Sequence, residues 1–313
     1  MISYSVVIPS YKTSYEVMLE TINSVLNQDY PIHEIIVVDD NGGDEFSGEN
    51  KKIQEHFGEK VAVLFNEVNK GANFSRNRGV KQASGDFIAF LDSDDNWSKN
   101  YLSLVANIIE SNDAKFVTSN YQIVHEDGVL PPEFTRTIFI SGDISKKELY
   151  QDYVGPTSTV VISRQLVIDA GLFDETLPAR QDYDMWLRVS KLAYVFYNYE
   201  PCVKVFRIGR ASISSSYKRN VRGTQLVLKK ILENNNLTLP EQRAIKASHF
   251  KHMALSCILC NAYKDSREYA KESLKNEFDK KMAIWYLLSF SPMLFSMLRK
   301  MRRRYLYAKN RDF

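Results

Sequence analysis

Ile35-Ile36-Val37-Val38-Asp39-Asp40-Asn41-Gly42-Gly43 joins a continuous apolar run to a polar turn that ends in glycine. Four successive apolar residues, most of them β-branched, predict a strand buried on both faces, as in a parallel sheet. To its N-terminal side, Val6-Val7-Ile8 is another such run, stopped by Pro9-Ser10-Tyr11-Lys12. Between the two, Val17, Met18, Ile22, Val25 and Leu26 recur at helical spacing. Residues 61–65 predict a third strand, 73–82 a helix, and 87–91 a fourth strand that runs into Asp92-Ser93-Asp94-Asp95. Strands separated by helical stretches predict βαβ units and an open, doubly wound α/β sheet.

Ligands of such sheets bind at the carboxyl ends of the strands. Asp39, Asp40, Asp92, Asp94 and Asp95 are expected at that rim. Unpaired, they would repel one another and raise each other's pKa, so the pattern predicts a divalent cation or bound donors among them. A helix cap is the other role open to a single acid, and Asp95 or Ser98 is placed to cap a helix beginning near Lys99. Capping accounts for one acid per loop and not for adjacent acids in two loops.

Residues 115–210 mix shorter strands (115–119, 158–162, 194–197, 203–206) with short helices, and Pro131-Pro132 and Gly155-Pro156 mark loops. Beyond Ser216 the pattern changes to long helices, about 221–234, 240–263, 266–276 and 280–290, which sets a domain boundary near 218. Charge divides at the same place. Residues 1–218 carry 21 Lys and Arg against 30 Asp and Glu, a net of −9, while 219–313 carry 20 against 8, a net of +12. The formal total of +3 is therefore an average of an acidic body and a basic extension, and the asymmetry points to an anionic surface as partner.

With 44% hydrophobic and 25% charged residues and a mean hydropathy of −0.32, the 313-residue chain is neither a polytopic membrane protein nor a disordered one. Cys202, Cys257 and Cys260 are too few for a disulfide framework, so a reducing compartment is expected. The lone Cys257-x-x-Cys260 reads as small buried helix residues, and His249-x-x-His252 as surface or core histidines without a metal. Met1-Ile2-Ser3-Tyr4 has no basic segment, and Pro9 ends the apolar run that follows, which does not fit a secretory signal.

Taken in order, Val6-Val7-Ile8-Pro9-Ser10-Tyr11, Ile36-Val37-Val38-Asp39-Asp40-Asn41, Asn69-Lys70-Gly71 with Arg76-Asn77, and Ala83-Ser84-Gly85-Asp86 leading to Phe90-Leu91-Asp92-Ser93-Asp94-Asp95 resemble glycosyltransferase family 2. Gly171-Leu172-Phe173-Asp174-Glu175 and Gln181-Asp182-Tyr183-Asp184-Met185-Trp186-Leu187-Arg188 resemble that family's acceptor-side segment, so the likeness runs from residue 3 to about 214. The resemblance implies a GT-A fold, a Rossmann-like nucleotide-binding open sheet over 1–218, with a helical extension over 219–313. It implies a metal-dependent, inverting transfer of a sugar from a nucleotide-sugar, a UDP-sugar, to a hydroxyl of a glycan or lipid-linked acceptor in bacterial surface polysaccharide synthesis.

Carried over residue by residue, Asp94 is the expected ligand of Mn2+ or Mg2+, Asp92 a ribose or metal contact, and Asp95 a third candidate in the Asp-x-Asp turn. Asp39 or Asp40 would bind the uracil ring, with Asp40 preferred, and Pro9 and Tyr11 would line the base pocket. Arg76 would lie near the nucleotide or diphosphate; the other reading is an exposed helix arginine. Asp182 stands where the family places its catalytic base, although the usual Glu-Asp pair is Gln181-Asp182 here; helix-dipole stabilisation of Asp182 and Asp184 is the alternative. Phe206-Arg207-Ile208-Gly209-Arg210-Ala211-Ser212 resembles the segment that closes over the nucleotide, without the histidine many relatives carry, so Arg207 or Arg210 would neutralise the diphosphate.

Residues 283–298 are apolar but shorter than the roughly 18–20 needed to span a bilayer. Ser291-Pro292 suggests that two helices meet there. In the second, Leu294, Leu298, Met301 and Tyr305 share a face flanked by Arg299, Lys300, Arg302, Arg303 and Arg304. A basic amphipathic helix of this kind suits an anionic membrane surface over 283–311, hence a cytoplasmic protein peripheral to the inner face of the plasma membrane. Packing on the body or against another subunit is the alternative; no base-reading motif supports nucleic acid. Two rivals to the whole reading remain. A dinucleotide oxidoreductase needs G-x-G-x-x-G after the first strand and lacks it here. A non-catalytic sugar-nucleotide binder or scaffold is the second.

Overall fold

The computed structural model describes residues 1–313 except 44, 126–127, 131–139, 207–215, 292, 294, 296, 298–300 and 302–313, and except the side chains of 45, 125 and 128–130. The chain forms two compact units. The first comprises Met1–Ser145, Tyr153–Glu175 and Asp182–Ile208; the second comprises Lys146–Asp152, Thr176–Gln181 and Gly209–Phe313.

The first unit opens with β1 (Tyr4–Ser10), α1 (Tyr15–Leu26), β2 (Glu34–Asp39), α2 (Glu45–Phe57), β3 (Ala62–Phe65), α3 (Ala72–Gln82) and β4 (Phe87–Phe90). It continues through β5 (Asn96–Trp97), α4 (Tyr101–Asn112), β6 (Phe116–His125) and β7 (Gly128–Leu130), and α5 (Ser145–Glu148) begins at its edge. After β8 (Val160–Ser163) come α6 (Arg164–Asp169), α7 (Gln181–Val189) and β9 (Phe196–Phe206). The strands form one nine-stranded mixed sheet in the order β3-β2-β1-β4-β8-β6-β9-β5, with β7 paired to β6. Strands β3, β2, β1 and β4 are mutually parallel, and β8 runs antiparallel to β4.

The alternation of side chains along the central strands explains the unbroken apolar runs. Val6, Ile8, Ile35 and Val37 pack with Met18 and Ile22 of α1, Ile53 of α2 and Val105 of α4. Val7, Ile36 and Val38 point the other way and pack with Val80 of α3, Leu166 of α6 and Trp186 of α7. Both faces are thus covered by helices. Gly79 lets α3 lie close to β1, since a Cβ there would stand 3.2 Å from Val7 Cγ2.

Three sequence expectations need correction. Helix α2 was not foreseen, because Phe46, Ile53 and Phe57 are sparse among polar residues and Gly48 interrupts them. The two short strands expected at 194–197 and 203–206 are the single strand β9, whose pairing with β6 shifts register around Asn120 and so accommodates Pro201. Neither Asp95 nor Ser98 caps a helix: α4 begins at Tyr101 after Asn100.

The second unit contains α8 (Tyr217–Glu233), α9 (Leu239–Leu259), α10 (Tyr263–Asn276) and α11 (Lys280–Leu288). Helix α9 starts with a capping box: Thr238 Oγ1 accepts from Glu241 N, and Glu241 accepts from Thr238 N. Ala254, Ala270 and Met282 form the small core under α9, α10 and α11. Cys257 is buried there, but Cys260 is exposed just past the end of α9, so only the first fits a buried helix residue. His249 and His252 lie inside α9, where burial pushes both below the ordinary imidazole range, to about 4 and about 3.

Candidate active site

The parallel strands deliver three loops to one edge of the sheet. Ser10 pairs with Asp39 at the ends of β1 and β2, and Asp92 follows two residues after Phe90 closes β4. The backbone of Lys12 donates to Asn41 Oδ1 at 2.7 Å, which ties the loop after β1 to the loop after β2. Pro9 is half-buried at the end of β1, and Tyr11 is 51% exposed beyond it.

Asp39 and Asp40 are both buried, and each carboxylate is supplied with donors. Asp39 accepts from Asn41 N (2.7 Å), Ser47 Oγ (3.3 Å) and Asn50 Nδ2 (2.9 Å). Asp40 accepts from Asn66 Nδ2 (2.8 Å), Lys70 N (2.8 Å) and Gly71 N (2.7 Å). Asp40 therefore holds the loop that leads into α3, while Asp39 is held by the start of α2. Gly42 makes the turn between them with φ at +68°, where a Cβ would approach the Val68 backbone to 3.0 Å.

Helix α3 carries Arg76 into this edge. The residue is 4% exposed, so it is not the surface arginine that one reading of the sequence allows. Nη2 donates to Asp92 Oδ1 at 2.6 Å, and the charge lies 5.7 Å from the centre of the Phe173 ring. Nε and Nη1 are buried and have no protein acceptor among the described residues. An orphaned, buried pair of guanidinium donors beside an acidic turn is costly unless something accepts from it.

In the acidic turn the three carboxylates differ. The Asp92 side chain is 35% exposed and its backbone N–H donates to Ser158 Oγ. Asp94 is half-buried. Asp95 is 3% exposed and accepts from Ser158 Oγ (2.5 Å) and from Phe206 N (3.1 Å). Burial, then the negative charges of Asp92 and Asp94, push the Asp95 carboxyl well above the ordinary range. Asp95 thus braces the turn from beneath and joins it to the end of β9. Among the described residues no three His, Cys, Asp or Glu side chains form a group able to cage a metal. The donor set, one or two carboxylates in a crowded negative turn, fits a hard cation that takes its other oxygens from a diphosphate and water.

The acceptor-side segment is tied to the same helix. Asn77 Nδ2 donates to Phe173 O (2.9 Å) and Glu175 Oε1 (2.8 Å), its Oδ1 accepts from Phe173 N, and Asn73 Nδ2 donates to Asp174 O. Phe173 stacks edge-on against Phe90 and Trp186, 5.3 and 6.1 Å between ring centres. Trp186 Nε1 donates to Gly155 O and Trp97 Nε1 to Ser158 O, so the loop 155–158 links the acidic turn to α7. On α7, Asp184 is buried and bound by Arg188 (2.9 Å), whereas Asp182 is half-buried in the first turn. The two acids of that turn are therefore in different settings. Arg207 and Arg210 lie outside the described residues.

Sequence reasoning gave no role to Ser158, Asn50, Asn66 or Asn73, although they hold the candidate carboxylates and the 171–175 segment in place. Asn77 was noted only as part of a motif. Their partners are 11 to 101 residues away in the chain, which no local pattern encodes.

Residues 5–174 match the family model for glycosyl transferase family 2. The UDP-Glc:alpha-D-GlcNAc-diphosphoundecaprenol beta-1,3-glucosyltransferase WfgD of Escherichia coli is 30% identical over 232 residues, covering 74% of this chain and 87% of that protein. The amylovoran biosynthesis glycosyltransferase AmsB of Erwinia amylovora is 30% identical over 206 residues, covering 62% and 66%. Among solved structures, S. aureus TarS 1-349 in complex with UDP-GlcNAc superposes with a TM-score of 0.61 at 19% identity, covering 88% of this chain and 89% of that one, a likeness of fold.

Proposed function

Since the chain belongs to glycosyltransferase family 2, we propose that it transfers a sugar, with inversion, from a UDP-sugar to a hydroxyl of a glycan or lipid-linked acceptor. The observation that carries this reading is the sheet edge itself, where Asp39, Asp40 and the Asp92–Asp95 turn meet a buried Arg76 with unsatisfied donors. UDP as the nucleotide is suggested by WfgD and by the TarS complex with UDP-GlcNAc, a lipid-linked acceptor by the diphosphoundecaprenol substrate of WfgD, and bacterial polysaccharide synthesis by AmsB.

In this reading Pro9 and Tyr11 line the base pocket, and Asp39 or Asp40 receives the uracil N–H. Arg76, with Arg207 or Arg210 from the segment after β9, faces the diphosphate. Asp94, with Asp92, would hold Mn2+ or Mg2+, which supplies Lewis-acid neutralisation of the leaving diphosphate. Asp182 takes the proton of the acceptor hydroxyl, because an alcohol is a poor nucleophile at neutral pH. The acceptor oxygen forms its bond to the anomeric carbon as the bond from that carbon to the diphosphate oxygen breaks, and the electron pair leaves with UDP. The catalytic domain is assigned to 1–218 and the extension to 219–313.

The extension is proposed to rest on an anionic membrane over 283–311, at the cytoplasmic face. Ile284, Leu287, Met293, Met297 and Met301 stand exposed, and the sequence around them is rich in Lys and Arg. Among the described residues no helix is long and apolar enough to cross a membrane. If the full chain and one ending at Phe290 pellet equally with anionic vesicles, the membrane contact is wrong.

The test of the reaction is a panel of nucleotide-sugars with Mn2+ or Mg2+, following UDP release with and without EDTA. Release with one donor class, abolished by chelation, is the expected result. Release indifferent to EDTA overturns the cation assignment, and donor binding without release under any condition favours a non-catalytic binder, for which Gln181 in place of the family's glutamate is the motivating feature.

A further inference from the structure

Two tryptophans hold one short loop of the first unit at its two ends. Trp97 and Trp186 are both buried. An indole N–H can only donate, so a buried one is costly unless an acceptor meets it. Trp97 Nε1 donates to Ser158 O at 2.9 Å, and Trp186 Nε1 donates to Gly155 O at 3.0 Å. The two donors stand beside the two groups to which the proposed reading gives the chemistry. Trp97 lies two residues past Asp95, and Trp186 lies on α7 one helical turn after Asp182. All of these residues belong to the first unit.

The loop between the two carbonyls has little freedom. Gly155 has φ at +97°, a region that favours glycine, and the ring of Pro156 fixes the next φ at −62°. Thr157–Thr159 then form a single 3-10 turn, closed by Thr159 N donating to Pro156 O at 3.0 Å. Just before the loop, Thr118 Oγ1 donates to Val154 O at 2.9 Å and anchors it to β6. At the far end the Ser158 hydroxyl donates to Asp95 Oδ2 and accepts from Asp92 N. A stiff strut thus runs from the acidic turn to the helix of Asp182, with an indole N–H fixing each end.

We propose that Trp97 and Trp186 are positioning residues: by clasping 155–158 they set the separation of Asp182 from the Asp92–Asp95 turn, and so the reach of the base toward the reacting hydroxyl. The proposal rests on Asp182 being that base. A proton-transfer group displaced by about 1 Å loses of order 100-fold in rate. UDP binding, assigned to Asp39, Asp40 and Arg76, depends on neither indole.

The experiment is a double-mutant cycle in the full-length protein. Trp186→Phe removes the N–H and keeps an aromatic ring beside Phe116 and Phe173, whose ring centres lie 5.6 and 6.1 Å away. It is expected to lower kcat at least about tenfold, with UDP affinity and the Mn2+ concentration for half-maximal activity within about twofold. In an Asp182→Asn background the same substitution is expected to lower the residual rate less than about twofold, since no base is left to misplace. Trp97→Phe is run through the same cycle and carries the test if Trp186→Phe does not fold. Unchanged kcat, equal losses in both backgrounds, or UDP affinity falling along with kcat overturns the proposal. If Asp182→Asn itself is fully active, the base assignment fails first; if it is inactive and Trp186→Phe is not impaired, only the positioning role fails.

Discussion

Arg76 and Asp92 are joined at 2.6 Å across the mouth of the acidic turn, the arginine buried and the carboxylate one-third exposed. The pair leaves Arg76 Nε and Nη1 without protein acceptors among the described residues. In the proposed reading a diphosphate would supply those acceptors.

Arg76→Ala is expected to weaken UDP binding about tenfold, the worth of one or two lost charge-assisted hydrogen bonds. Arg76→Lys should recover only part of this, because a point charge does not reproduce the planar fork. Calorimetric titration with UDP and Mn2+ reads both; unchanged affinity in Arg76→Ala would remove the diphosphate from this position.

Asp94 and Asp95, adjacent in sequence, should separate by experiment. Asp94→Asn is expected to raise the Mn2+ concentration for half-maximal activity at least about tenfold with little change in melting temperature, since the proposed ligand oxygen belongs to a half-buried side chain. Asp95→Ala strands Ser158 Oγ and the Phe206 N–H in a buried place and is expected to cost about 2–3 kcal/mol of stability. Thermal melts beside Mn2+ titrations distinguish the two, and a reversed pattern would reassign them.

The outcome for this turn shows what a linear sequence conveys. Four apolar residues in a row at Ile35–Val38 announce a strand covered on both sides, because no other common element buries consecutive residues so completely, and the two helix layers bear this out. The acids after β2 and β4 were legible as a shared rim because parallel strands end at the same edge. What was hidden is support. Asp95 was open to a helix-cap role beside its place in the acidic turn, because acids before helices often cap, but its donors come from Ser158 and Phe206, 63 and 111 residues away. Helix α2 was hidden because one face of polar residues and a glycine give little periodicity, and β9 looked broken because Pro201 sits at a register shift.

The buried histidines of α9 predict an acid-sensitive helical unit. Burial, with the charge of Arg180 adding to it, lowers His249 to about 4 and His252 to about 3, against 6.5 in the unfolded chain. Below pH 6.5 the unfolded chain therefore takes up protons that the folded unit refuses. The stability they contribute is fully present above pH 6.5 and is lost as the pH falls toward 4 and then 3, by at most about 1.4 kcal/mol per histidine per pH unit. Melting temperatures across pH 7.5 to 4.5 should fall in the native protein and fall less steeply in His252→Leu; equal slopes would contradict it.

The role given to Asp182 is tested by one substitution. With Asp182→Asn, UDP release in the presence of donor, acceptor and Mn2+ should drop at least about 100-fold while UDP affinity stays within twofold, the loss typical of removing a general base. Transfer at the native rate in Asp182→Asn would contradict the account.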